Sequence, residues 1–153
     1  MKVIIAAVGK PRNAALAAAI AFYEERAARY WPLVVHEVKE ESARSLIPEQ
    51  VRAREGERLA AATHDAELIV CDERGQRLTS GEFARLLQEA RERARDVAFA
   101  IGGAYGLDPA LAGRAARRLA LAPWTLPHEM ARLVLAEQIY RAGTIVRGEP
   151  YHK

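Results

Sequence analysis

The chain has 153 residues, half of them apolar and 28% charged, with a formal net charge of +3 and a single cysteine. That is enough for one domain with its own core, and the even mixing of charge excludes a long disordered or low-complexity tract. One cysteine excludes an intrachain disulfide and a multi-cysteine metal cluster, and so small a total charge does not by itself announce a nucleic-acid binder.

The opening run Met1-Lys2-Val3-Ile4-Ile5-Ala6-Ala7-Val8 is too short to span a bilayer. It runs into Gly9-Lys10-Pro11-Arg12 rather than a longer apolar core and a cleavage site, so it reads as the first strand of a cytoplasmic protein. Apolar runs of strand length then alternate with stretches of helical length, the signature of βαβ units and a mostly parallel sheet. Strands are predicted near Lys2–Val8, Leu33–Val38, Glu67–Cys71, Val97–Ile101 and Arg118–Leu121. The first, third and fourth are almost continuously apolar, as strands covered on both faces are, and belong in the middle of the sheet. Asn13 caps a helix over Ala14–Tyr30, whose apolar face carries Leu16, Ile20 and Phe22. A second helix runs from Ser45 to Ala62, with Pro48 near its first turn. A third begins at Thr79-Ser80-Gly81-Glu82, a capping-box spacing, and presents Phe83, Leu86 and Leu87. Asp108-Pro109 opens a fourth helix to about Arg117, and Pro127 opens the last, from His128 to about Ile145. That last helix holds Met130, Leu133, Val134, Leu135, Ala136, Ile139 and Tyr140, more than one apolar stripe. The surplus needs a cover, and a second copy of the chain is the simplest one. Neither an internal repeat nor a linker divides the chain, so residues 1–153 are expected to form a single domain.

Gly102, Gly103 and Gly106 directly follow the fourth predicted strand. In an open α/β sheet, ligands bind beyond the carboxyl ends of the strands, where turns free of side chains let backbone N–H groups reach them. The pattern alone fits a tight turn without a ligand equally well. It is not a dinucleotide fingerprint, which follows the first strand of its unit; here that strand ends in Val8-Gly9-Lys10-Pro11. The markers of a P-loop, of zinc hydrolysis (H-E-x-x-H) and of a serine esterase (G-x-S-x-G) are missing too. Four scattered histidines, His36, His64, His128 and His152, give no metal-ligand spacing. Of these, His128 falls in the first turn of a helix. Cys71 closes an apolar run and reads as a buried thiol. Arg114, Arg117 and Arg118 lie close together, and Arg141, Arg147 and Lys153 add positive charge later; a phosphate footprint and a solvated face both fit.

Ile101-Gly102-Gly103-x-x-Gly106-Leu107, Thr125-Leu126-Pro127-His128, Arg132-Leu133-Val134-Leu135-x-Glu137-Gln138-x-Tyr140-Arg141-Ala142 and Pro150-Tyr151-His152-Lys153 resemble, in this order, the ribosomal RNA large subunit methyltransferase H family. The resemblance covers essentially the whole chain and is densest after Val97. It implies the SPOUT class, an α/β parallel-sheet fold tied in a C-terminal trefoil knot that binds S-adenosylmethionine. It further implies that Cys71, Gly102, Gly103, Leu121, Ala122, Pro123, Trp124, Thr125 and Leu126 enclose this cofactor, with no metal. The reaction implied is methylation of N3 of a pseudouridine in large-subunit ribosomal RNA on the assembled ribosome. Tyr151 and His152 would position the acceptor and handle its proton, while Arg141 and Lys153 would hold phosphate or base carbonyls. Glu137 would either orient Arg141 or act as a base. A homodimer is expected, with the tail completing a site either within its own subunit or across the dimer. Where the family often carries Pro-Glu or Ser-Asn inside the glycine turn, this chain has Ala104-Tyr105, and Pro123-Trp124 is bulkier than the usual loop. Two other readings stay open: a non-catalytic ribosome- or RNA-binding protein on the same scaffold, and an α/β nucleotide-binding enzyme of unrelated chemistry.

Overall fold

A computed structural model describes residues 1–153. Ten elements alternate along the chain: β1 (Val3–Val8), α1 (Ala14–Ala27), β2 (Leu33–Val38), α2 (Pro48–Ala62), β3 (Glu67–Arg77), α3 (Ser80–Glu92), β4 (Val97–Ile101), α4 (Pro109–Arg114), β5 (Arg117–Ala120) and α5 (His128–Val146). The strands form one five-stranded sheet in the order β2-β1-β4-β3-β5, with every pairing parallel. The three most continuously apolar strands occupy the middle, and all five residues of β4 are buried. Strand β2, with His36 and Glu37 exposed, lies at an edge where one side needs no cover.

Alternation along the strands divides the core in two. Val3, Ile5 and Ala7 of β1 with Val97, Phe99 and Ile101 of β4 face α1, α3 and α5. Ala6, Val8, Val70 and Ala100 face Leu59 of α2 and Leu111 and Ala112 of α4. The small side chains of the second set let α2 and α4 lie close to the sheet. The α5 helix packs on both α1 and α3 and against β4, so much of its surplus apolar surface is covered within the chain. Met130 remains exposed, and Leu133 and Val134 are half-buried.

Helix ends follow local chemistry. The Asn13 side chain accepts from Leu16 N–H at 3.0 Å, and Thr79 and Glu82 form a reciprocal capping box. Several limits differ from the sequence reading. Helix α1 stops at Ala27 rather than Tyr30, because Trp31 must leave the helix to be buried under α5, where its indole N–H donates to Ile139 O at 3.0 Å. Phe22, expected on the apolar face of α1, is exposed beneath the Arg26 guanidinium. Helix α2 starts at Pro48 rather than Ser45, its entry fixed by Gln50, whose side chain accepts from Ile47 N–H at 3.2 Å. The fourth helix ends at Arg114 rather than Arg117, since Ala115 is already extended and Ala116 N–H pairs with Leu68 O. That moves β5 one residue earlier, to Arg117–Ala120. Strand β3 continues six residues past Cys71 to Arg77, with a shift of register against β5 between Cys71 and Gln76. Its irregular stretch turns polar side chains toward the carboxyl end of the sheet. No helix is long and apolar enough to cross a membrane.

Candidate functional site

At the carboxyl ends of β3 and β4 three chain segments converge. The first is the glycine turn, closed by Gly106 N–H donating to Gly103 O at 3.0 Å. Gly106 has φ of +85°, and a Cβ on Gly102 would stand 2.7 Å from the Gly106 carbonyl carbon, so the turn closes only without side chains there. The second segment is the irregular part of β3 from Cys71 to Arg74, and the third is the loop between β5 and α5. Between them lies a cavity of about 910 Å³ whose wall includes Cys71, Gly102, Gly103, Leu121, Ala122, Trp124, Thr125 and Leu126. Of the nine residues expected to enclose a cofactor, only Pro123 is outside the lining. Thr125 Oγ1 donates to the Glu73 carboxylate, tying the third segment to the second. His128, in the first turn of α5, also lines the wall, as do Arg52, Asp72, Arg74, Tyr105 and Arg118.

The wall is chemically quiet. Cys71, expected to be buried, is half-buried at the cavity wall; desolvation still pushes its thiol up to about 12, so it stays protonated and poorly nucleophilic at neutral pH. Beneath the glycine turn lies Glu55, a residue only 2% exposed. Its Oε2 accepts from Glu41 N–H at 3.0 Å, its Oε1 is buried without a hydrogen bond, and a Cβ on Gly103 would come 3.0 Å from that Oε1. Burial, together with Glu40 and Glu41 nearby, raises its carboxyl above the ordinary range, against the lowering effects of the Glu41 N–H bond and Arg58. The sequence held a signal for this group: a glutamate sits inside the stripe Val51, Glu55, Leu59 that α2 otherwise buries as apolar surface.

The residues expected to act on an acceptor stand elsewhere. Arg141 lies thirteen residues beyond His128 on α5, about 20 Å along the helix axis. Its guanidinium donates to Glu137 Oε1 at 2.7 and 3.0 Å, so Glu137 orients Arg141 here, and that bond raises the arginine's pKa. The Tyr151 hydroxyl donates to the same Oε1 at 3.0 Å, and its ring packs on Tyr140 with centroids 4.6 Å apart and under the Arg141 guanidinium. Burial first, then hydrogen bonds with Tyr23 and Glu137, hold the Tyr151 phenol well above its ordinary pKa, as a donor rather than a base. His152 and Lys153 are exposed. Within one chain the tail is therefore docked on the far end of α5, away from the cavity. No group of three or more His, Cys, Asp or Glu side chains is placed to hold a metal ion.

An all-parallel α/β sheet with a cavity at its carboxyl edge, formed by a glycine turn and a late loop, is the arrangement of a SPOUT-type methyltransferase, and the family model described as "Predicted SPOUT methyltransferase" matches residues 1–152. The chain belongs to the ribosomal RNA large subunit methyltransferase H family. A protein of that name from Gemmatimonas aurantiaca is 62% identical over 154 aligned positions, covering the whole of both chains. Another, from Nitratidesulfovibrio vulgaris (strain Miyazaki F), is 49% identical over 95% of each. Among solved structures, a probable methylase family protein from Haemophilus influenzae superposes with a TM-score of 0.59 at 13% identity, covering 99% of this chain and 70% of that one. A probable methyltransferase from Bordetella pertussis gives 0.55 at 14% identity, covering 92% and 95%. At those identities the likeness concerns the fold alone.

Proposed function

We propose that this chain is an S-adenosylmethionine-dependent methyltransferase that modifies N3 of a pseudouridine in large-subunit ribosomal RNA on the assembled ribosome. The observation that carries the reading is the convergence of the side-chain-free turn at Gly102–Gly106 and the Leu121–Leu126 loop on one cavity at the carboxyl edge of a parallel sheet. The relatives' shared name, ribosomal RNA large subunit methyltransferase H, supports the RNA as substrate.

The wall suits a nucleoside sulfonium. Leu121 and Leu126 offer apolar surface, Trp124 stands exposed at the rim, and close backbone approach at the glycine turn offers N–H and C=O groups for a purine edge. The bound donor would supply an already activated methyl group, which leaves the protein to align the acceptor and remove its N3 proton. A protonated Cys71 keeps a competing thiolate away from that methyl. Arg141, Tyr151 and His152 are the candidates for positioning the base and moving its proton, with Lys153 available to a phosphate. Because their docked position is about 20 Å along α5 from His128, the tail would serve the cavity of a second subunit in a homodimer. In this reading residues 1–153 act as one cytoplasmic domain whose C-terminal part is tied in a trefoil knot.

Incubation with methyl-labelled S-adenosylmethionine and ribosomes lacking the modification tests it, with free ribosomal RNA and a Tyr151→Phe/His152→Ala variant as controls. Label on one pseudouridine N3, lost in the variant, is the expected result. Ribosome binding with neither donor binding nor transfer would instead identify a non-catalytic RNA-binding protein.

A further inference from the structure

Six large apolar side chains are exposed, most of them singly; the most exposed is Trp124, at 70%. Tyr105 is exposed at 42%. The two rings sit on different segments, Tyr105 in the glycine turn and Trp124 in the loop after β5, and both line the same cavity. Neither belongs to the aromatic contacts of α1 and α5. Charge at this mouth is unevenly spent. Glu73 is taken by Thr125, and Asp72 faces Arg118 at 3.8 Å. Arg52 and Arg74, which also line the cavity, make no ion pair, and Arg52 donates to Tyr105 O at 3.4 Å.

We infer that Tyr105 and Trp124 form an aromatic clamp for an unstacked nucleobase of single-stranded RNA, with Arg52 and Arg74 holding the phosphates on either side of it. The clamp rests on the reading of the cavity as an RNA-modifying site and names the groups that deliver the base to it. Two exposed rings beside guanidinium groups without a carboxylate partner are what an unpaired nucleotide requires: π-faces for its base and positive charge for its backbone. Neither ring specifies sequence; the clamp holds whichever base the surrounding RNA presents.

The chain's other tryptophan, Trp31, is fully buried, so Trp124 is the tryptophan that solvent and ligands reach. Titration of the full-length protein with a short oligouridine should quench its emission, whereas the same sugar–phosphate chain made abasic should not. Trp124→Ala and Tyr105→Ala should each weaken oligouridine binding about tenfold or more, measured by anisotropy of a labelled oligonucleotide, and Trp124→Phe should restore most of the loss. Arg52→Ala or Arg74→Ala should lower the slope of log affinity against log salt by about one. Both rings are exposed, so unchanged melting temperatures serve as the folding control. Equal binding of the abasic chain, or unaltered affinity in both alanine variants, overturns the clamp. So does a Trp124 already shielded from acrylamide in the free protein and indifferent to RNA, the mark of rings packed on a second copy. Calorimetry of S-adenosylmethionine binding runs in parallel. Quenching without cofactor binding sinks the methyltransferase reading and leaves the clamp standing; cofactor binding without quenching does the reverse.

Discussion

Glu55 illustrates how one residue reads on both stability and the site. Its folded pKa is raised, so the folded protein holds this proton to higher pH than the unfolded chain does. Stability is then fully present below the ordinary carboxylate range and declines as pH rises through it and through the raised folded value. Glu55→Gln keeps an oxygen for Glu41 N–H and removes the charge. The variant should melt a few degrees higher than the parent at pH 7, with the gap closing toward pH 4; a constant gap across that range would remove burial of the charge as its cause. Cys71 gives a second test. With its thiol pushed up to about 12, alkylation by iodoacetamide at pH 8 should be at least tenfold slower in the folded protein than in urea. Glycines at a strand end were visible in the sequence because their positions carry their meaning. Glu55 was marked only by its place in the stripe that α2 buries, and the roles of Arg52 and Tyr105 were not marked at all, because what matters about these residues is the neighbour each acquires across 48 to 53 positions of chain.

At the scale of elements, caps and apolar runs were readable and ends were not. The Thr79/Glu82 box is local, three residues apart, and Thr79→Ala should cost about 1 kcal/mol in urea unfolding. The stop of α1 is not local, since it is set by Trp31 reaching Ile139, and the extension of β3 depends on Leu119 of β5. Both are decided by tertiary partners that a run of residues does not name. Gly143, inside α5, shows the same dependence: a Cβ there would stand 2.4 Å from the Tyr30 ring carbon Cγ. Gly143→Ala should therefore destabilise by about 1–3 kcal/mol although alanine favours helices, because Tyr30 must move at its Cβ as well as its ring. If equilibrium unfolding shows a gain instead, α5 and Tyr30 are not packed this closely in solution. Arg132, buried on α5 between Glu24 of α1 and Glu37 of β2, is the polar counterpart. Burial would lower its pKa, but the two carboxylates outweigh that and raise it. Arg132→Met leaves two acids facing each other and should cost about 3 kcal/mol or more at neutral pH.

For the whole molecule the open element is the relation between cavity and tail. Composition and alternation sufficed to place five parallel strands and to put the right three in the centre, since burial on both faces is written as uninterrupted apolar sequence. They could not place the tail, whose docking depends on Glu137 and Tyr140 fourteen and eleven residues earlier. If the tail serves a second subunit, two defective chains should complement. Subunits carrying Gly102→Val and subunits lacking residues 150–153 should each be inactive in methyl transfer. Mixed after unfolding and refolding together, they should recover roughly a quarter of the activity, because half the dimers hold one complete site of two. No recovery, with mixed dimers present, places tail and cavity in the same chain.

The register of the sheet also carries a consequence for how the chain is made. Val3 lies beside Val97, so β1 has no central neighbour until almost two thirds of the chain has been synthesised. Its cover on one face, α5, is the last of the ten elements. During translation the most apolar segment therefore waits, exposed, for partners that arrive late, and folding of such high contact order is slow. Until Val97 arrives, one flank of β1 has no strand to pair with, so the order of synthesis and the order of sheet assembly differ.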